Sequence, residues 1–400
     1  MRFAKWTIYS ALSGLLAGLS ATVFLYSLDA ATRFRTAHFE IIWALPLAGL
    51  LIGWLYHRYG ADVNPGTNLI LDEIHDPKKM IPVKMAPLIL ISTVLTHLFG
   101  GSAGREGTAV QMGASLSDQL GRFIKISSSE RKTLLMIGAG AGFGAAIGTP
   151  VAGVVFGMEV LRIGRLRLIA VWESIVACLF AYSTTLLLEA PHSTYPRFVM
   201  PPPSFLLVLA TIAVGVACGG CAFVFVWLTH SLEHLEKRFI RSPVLRPFFA
   251  GLLLAFLFQI PGAKQFSGLG IQSIQSAITQ PAHWFEPIDK ALLTILTIGS
   301  GFKGGEFIPL VFIGTTLGSV IGFWLNVSFS LCAAIGFSAL FGAASMAPIA
   351  CAIMGAEIFG IAVLPYALVA GMIAYFVSGS RSIYVRQRVE GKFWFLGRDS

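Results

Sequence analysis

The residues best suited to chemistry stand in short glycine-bounded runs between apolar stretches. Gly104-Arg105-Glu106-Gly107-Thr108 follows the apolar run 85–100 and precedes a helix-compatible one, so Glu106 stands at a helix start. Unpaired amides and a macrodipole of about half a positive charge make such a start an anion site without any side-chain cation. Glycines on both sides let the backbone approach an ion. A carboxylate there can fill the site when no external anion does, and it can also carry a proton. Protonation would release it and deprotonation would make it compete with the substrate, the property that proton-coupled anion exchange requires. An ionisable group between apolar segments is a functional candidate by default; the alternative is a loop glutamate paired with Arg105.

Gly305-Glu306-Phe307-Ile308-Pro309 offers a second such start, with Pro309 near the beginning of a helix and the amides of Glu306, Phe307 and Ile308 unpaired. Glu306 is flanked by apolar sequence, where a bare charge is costly. It reads either as a proton relay or as the partner of Lys303. Pro65-Gly66-Thr67-Asn68-Leu69-Ile70 supplies a hydroxyl, a side-chain amide and free backbone donors, although alone it is an ordinary turn and helix cap. Tyr384, beyond the last apolar block, is by default an interfacial anchor. Other chemistries lack their residues. Neither HExxH nor GxSxG occurs, and no His/Cys cluster has metal-ligand spacing. Neither an enzyme nor a metal nor a cofactor is expected. The 5 cysteines lie inside apolar segments and read as packing residues.

The elements that must position these residues are membrane helices. The 400 residues are 55% hydrophobic and 12% charged, with a mean hydropathy of +0.75, which places the chain in the polytopic, all-α membrane class. Apolar stretches near the length of about 20 residues that spans a bilayer recur at 7–31, 38–58, 85–100, 132–161, 168–190, 204–230, 247–262, 289–300 and 307–379. Many are interrupted by proline or by some of the 42 glycines. Broken helices survive in lipid only where protein or a water-filled cavity surrounds the break, and transporters use such breaks to build ion sites at mid-membrane. The net charge of +9 does not indicate nucleic acid, because its residues fall in short connections: Lys78, Lys79 and Lys84; Arg162, Arg165 and Arg167; Lys237, Arg238 and Arg241; Arg381, Arg386 and Arg388. They read as topology and lipid-facing charges. Arg2 and Lys5 place the N-terminus in the cytoplasm, and the first apolar stretch, about 20 residues, reads as a retained helix.

The chain also repeats. Residues 138–161 lie over 336–359 without a gap, sharing Pro150/Pro348 and Glu159/Glu357, and at the same offset the run 101–107 lies over 299–305. Small-residue membrane helices resemble one another by composition, but composition does not bring proline and glutamate back together with an upstream glycine-rich motif. Two halves, 1–200 and 201–400, are expected, with the site between corresponding interrupted helices.

Together these segments resemble the CLC family of chloride channels and proton-coupled anion exchangers over nearly the whole chain. The family's GREGP motif, which carries a gating glutamate, is matched by Gly104 to Thr108 with Thr in place of Pro, and its GxFxP motif by Gly305, Phe307 and Pro309. Its GSGIP motif, whose serine contacts the central anion, corresponds to Gly66-Thr67-Asn68-Leu69-Ile70, where only the first glycine remains. Its anion-contacting tyrosine corresponds to Tyr384. The resemblance implies a CLC-type inverted repeat and a homodimer meeting near Pro150–Glu159 and Pro348–Glu357. With only about twenty residues after the last apolar block, no cytoplasmic CBS domains are expected. Chloride/proton exchangers pass protons through an internal glutamate; Val160 falls at that position here, and Glu159 matches its neighbour. The altered GREG and GSGIP segments and the glutamate within GxFxP resemble the family's fluoride-exporting branch. Fluoride export coupled to proton import through a bacterial inner membrane is therefore expected, with Glu106 as gate, Glu306 as proton-handling group, and Thr67, Asn68, Phe307, Ile308 and Tyr384 at the ion. A chloride/proton exchanger or passive chloride channel is the alternative on the same fold.

Overall fold

The computed structural model describes residues 2–389 apart from Lys125, Arg165, Arg167 and Ile169. The expectation for Arg165 and Arg167 lies outside the described residues. Helix order explains the positions of the glycine-rich runs. Residues 2–187 form α1 (Arg2–Ala37), α2 (Leu45–Tyr59), α3 (Thr67–His75), α4 (Met85–Leu98), α5 (Glu106–Ile124), α6 (Ser128–Ile147), α7 (Pro150–Glu159) and α8 (Val171–Leu187). The same succession follows as α9 (Phe205–Phe239), α10 (Arg246–Leu257), α11 (Ile271–Thr279), α12 (Glu286–Gly299), α13 (Phe307–Trp324), α14 (Phe329–Ser345), α15 (Pro348–Phe359) and α16 (Leu364–Ser378). A two-residue parallel pairing of Arg162–Ile163 with Arg388–Val389 joins the connection after α7 to the segment after α16.

Five segments among the described residues are long and apolar enough to cross a membrane. The first helix exceeds the sequence expectation, running 36 residues, or about 54 Å at 1.5 Å per residue. It passes well beyond a hydrocarbon core of about 30 Å. Leu12, Leu15, Leu19 and Val23 stand exposed along it, as lipid requires. The apolar run 132–161 is broken at Gly148-Thr149 into α6 and α7, and the block 307–379 holds α13 to α16.

Matching glycines hold the halves together internally. Gly14 and Gly18 lie against the backbone of Ala177 and Ala181, so α1 packs on α8, and Gly215 and Gly219 lie in the same way against Ala370 and Ala374, so α9 packs on α16. Small residues one turn apart allow this close approach and the dispersion contacts that hold membrane helices together. The recurring proline and glutamate have a reciprocal task. Glu159 accepts hydrogen bonds from the amides of Ile349 (3.0 Å) and Ala350 (2.7 Å) at the start of α15. Glu357 accepts from Val151 (3.0 Å) and Ala152 (2.8 Å) at the start of α7. Each half therefore caps a helix of the other, which satisfies amides that lipid cannot.

The register of the repeat differs from the ungapped superposition. Prolines 150 and 348 do correspond, but the starts of α5 and α13 match three residues further along, because α6 has 20 residues and α14 has 17. Arg105 is consequently equivalent to Glu306, not to Lys303.

A charged network outside the apolar layer fixes α3. Arg131 reaches Asp118 (2.7 Å) on α5 and Glu73 (2.8 Å) on α3, and donates to the Lys79 carbonyl at 2.6 Å. Three helices are thereby set relative to one another at the end of α3 opposite Thr67.

Candidate functional site

The glycine-rich runs of the two halves meet as an antiparallel bridge. Gly104 donates its amide to the Gly305 carbonyl (2.5 Å) and accepts from the Gly305 amide (2.8 Å). A Cβ on Gly104 would stand 2.8 Å from the Gly305 oxygen and 3.0 Å from the Ile308 nitrogen, and one on Gly305 would stand 2.8 Å from the Gly107 nitrogen. Only glycine permits this approach. The bridge brings the starts of α5 and α13 together, and the first amides of each helix have no intrahelical acceptor. Two positive helix ends thus point into one region, which suits a small anion.

Glu106 is the first residue of α5 and is 1% exposed. Its carboxylate accepts from the Arg105 backbone amide and from Arg105 Nε, both at 3.2 Å. The guanidinium is steadied at its other end, donating to Ser193 Oγ at 3.1 Å. Helix start and arginine pairing, alternatives in the sequence, occur together. His97, fully buried at the end of α4, supports the bridge from behind: its Nε2 lies 3.2 Å from the Gly104 carbonyl. Because a carbonyl only accepts, that nitrogen carries the hydrogen.

Glu306 precedes the first residue of α13. Of the expected alternative, an ion pair with Lys303, only the longer-range attraction is present: the two charges act on each other, but no direct ion pair joins them among the described residues. Lys303 instead donates to Asn64 Oδ1 (2.8 Å) and lies 4.1 Å over the Tyr56 ring. Glu306 faces a cavity of about 490 Å³ that also touches Thr67, Asn68, Gly107, Gln111 and Tyr384. Glu106, Phe307 and Ile308 are buried behind that wall. The Phe307 ring packs edge-on against Phe341 (4.6 Å between centroids) and Phe143 (5.6 Å), which locks the start of α13 in an aromatic cluster from both halves.

The polar residues divide into donors that are spent and donors that are free. Thr67 Oγ1 accepts from Gln111 Nε2 at 3.4 Å, so its own hydrogen can go to an anion. Asn68 Oδ1 accepts from the Arg386 amide at 3.2 Å, leaving the Asn68 NH2 for the cavity. Neither residue caps α3; the cap position is Gly66, with φ +60°. Tyr384 is 6% exposed, not an interfacial anchor, and its phenol feels the charge of both Glu306 and Glu106. Gln111 and His97 carried no sequence signal beyond being polar residues inside apolar helices. Among the described residues no three His, Cys, Asp or Glu side chains gather as a metal site, and the cysteines are unpaired.

Comparison with known proteins agrees with this geometry. Residues 48–379 match the family model described as voltage gated chloride channel. A relative from Pseudomonas syringae pv. tomato, named a chloride/fluoride channel protein, is 42% identical over 96% of this chain and 87% of its own length. An H(+)/Cl(-) exchange transporter of Vibrio cholerae serotype O1 is 27% identical over 85% of this chain and 79% of its own. The crystal structure of a CLC-type fluoride/proton antiporter superposes with a TM-score of 0.92 at 34% identity, covering 97% of this chain and 98% of that one. The chain belongs to the voltage-gated chloride channel family, the CLC proteins.

Proposed function

We propose that the protein exports fluoride in exchange for protons. The reading rests on one observation above the rest: two opposed helix starts, bridged at Gly104 and Gly305, carry one glutamate sealed against an arginine and another that faces a cavity. The names of the Pseudomonas relative and of the similar crystal structure support fluoride and proton exchange.

Residues 1–200 and 201–400 act as the two halves, with the ion between them. Deprotonated, Glu106 occupies the anion position and pairs with Arg105. Protonated, it loses most of that attraction and yields the position to the substrate. Fluoride is small and holds its water strongly, so its replacement shell must consist of close, hard donors: the amides at Phe307 and Ile308, the Thr67 hydroxyl, the Asn68 amide and the Tyr384 phenol. Glu306 takes the proton on the cavity side. The protein works as a homodimer through α7 and α15, in the bacterial inner membrane with a cytoplasmic N-terminus. Chloride exchange on the same fold is the second reading, favoured by the name of the Vibrio relative.

The test is efflux from liposomes holding purified protein, with fluoride compared against chloride and proton uptake recorded together. Fast fluoride efflux, slow chloride efflux and proton uptake are expected. Equal or faster chloride efflux would remove the fluoride assignment and leave the fold.

A further inference from the structure

We propose that Glu236, held by Ser300, receives the proton from Glu306 and releases it at the inner face. The proposal rests on the antiporter reading. The cavity beside Glu306 extends away from the ion site to the C-terminal end of α9 and the start of α10, where Glu233, Lys237, Arg246 and Ser300 line it. With the N-terminus inside, as the proposed function has it, α1 runs outward and α2 returns, so this end opens at the inner face.

Ser300, 1% exposed, donates its hydroxyl to Glu236 Oε1 at 2.5 Å. The other carboxylate oxygen, Oε2, is buried and has no hydrogen-bond partner. No cation makes an ion pair with Glu236 among the described residues: Arg246 acts on it through its charge alone, and the nearby cations donate elsewhere. Lys237 pairs with Glu233 on the same helix at 2.5 Å. Arg246 donates to the carbonyls of Ile240 and Arg241. Lys303 is held by Asn64 and Tyr56. His57 faces the cavity from α2. A buried carboxylate with one oxygen left without a donor is costly as an anion, so Glu236 is suited to take a proton, and Ser300 is the group through which one reaches it.

The step conserves protons throughout. The O–H bond of Glu306 breaks as a cavity water takes the proton. That water passes a proton to Ser300 Oγ as the Ser300 hydroxyl hydrogen moves to Glu236 Oε1, and the return of that hydrogen to Ser300 releases a proton to water at the α9–α10 end of the cavity, where a buffer base takes it.

The experiment uses full-length protein in liposomes, with fluoride and proton flux recorded at several pH values, with and without imidazole on both sides. Glu236→Gln is expected to slow proton flux about tenfold, and imidazole, by accepting the proton directly, is expected to restore much of it. Ser300→Ala is expected to show the same response at about a third of the wild-type rate, a loss of roughly one hydrogen bond. Wild-type protein that moves anion without protons overturns the antiporter reading and this proposal together. Coupled wild-type exchange with an unchanged Glu236→Gln rate overturns the proposal alone, as does a slow variant that imidazole leaves slow. Should Glu236→Gln not fold, a wild-type, imidazole-insensitive rate in Ser300→Ala overturns it.

Discussion

The starts of α5 and α13 are equivalent in backbone and opposite in side-chain chemistry. Both follow a helix that stops at a glycine-rich run, and the two runs pair through Gly104 and Gly305. At α5 the order is Arg105 then Glu106; at α13 it is Glu306 then Phe307. An acid therefore stands in the second half where a cation stands in the first, and an aromatic ring stands where Glu106 stands. Glu106 is sealed and paired, whereas Glu306 meets a cavity. The pseudo-symmetry of the backbone supplies two positive helix ends, and the departure from it in side chains separates the residue proposed as gate from the one proposed as proton carrier. By contrast, the Pro and Glu segments kept both backbone and side chains, because each glutamate caps the other half's helix.

The sharpest way to break this comparison is Glu106→Ala. Loss of the gate should abolish proton coupling, a fall of about a hundredfold or more in proton flux, read in liposomes with both ions recorded; unchanged stoichiometry would mean that the sealed glutamate is not the gate. Glu306→Gln should slow coupled exchange by about tenfold while the protein still elutes as a folded species. Wild-type exchange in that variant would return Glu306 to a structural role. Among the capping glutamates, Glu159 is fully buried and Glu357 is exposed. Glu159→Ala should therefore cost about 2 kcal/mol, since two buried amides lose their acceptor, and Glu357→Ala less, as measured by unfolding in detergent. Equal losses would show that burial does not separate the two caps. The smallest effect is expected at Gln111→Leu, which frees Thr67 Oγ1 to turn: fluoride efflux should fall about threefold, roughly the worth of one weak hydrogen bond, with proton coupling retained.

The sequence showed where helices break but not which breaks touch. Gly104, Glu106, Gly305 and Glu306 were readable because glycine beside an acid between apolar runs has few uses in lipid. Pro150/Pro348 and Glu159/Glu357 revealed the repeat, while their reciprocal capping was hidden, since it joins residues about two hundred positions apart. The register of the bridge was misread because α14 is shorter than α6, and an ungapped overlay carries that difference upstream. Position after the last apolar block made Tyr384 an interfacial anchor and only the family resemblance put it with the ion; the fold buries it at the wall of the cavity. Gln111, Ser300 and Glu236 make their contacts with distant segments, and they, like His97, left no pattern in their own surroundings.

The central claim is that anion and proton movements are obligatorily coupled, and a gradient-driven measurement tests it most directly. Liposomes holding purified protein and equal fluoride inside and outside are given a proton gradient, inside alkaline, with the membrane potential clamped to zero. The account predicts that inward proton movement drives fluoride out against its developing gradient, and that Glu106→Ala abolishes this. Fluoride that remains at equilibrium under a sustained proton gradient, in protein shown to conduct fluoride, would contradict it.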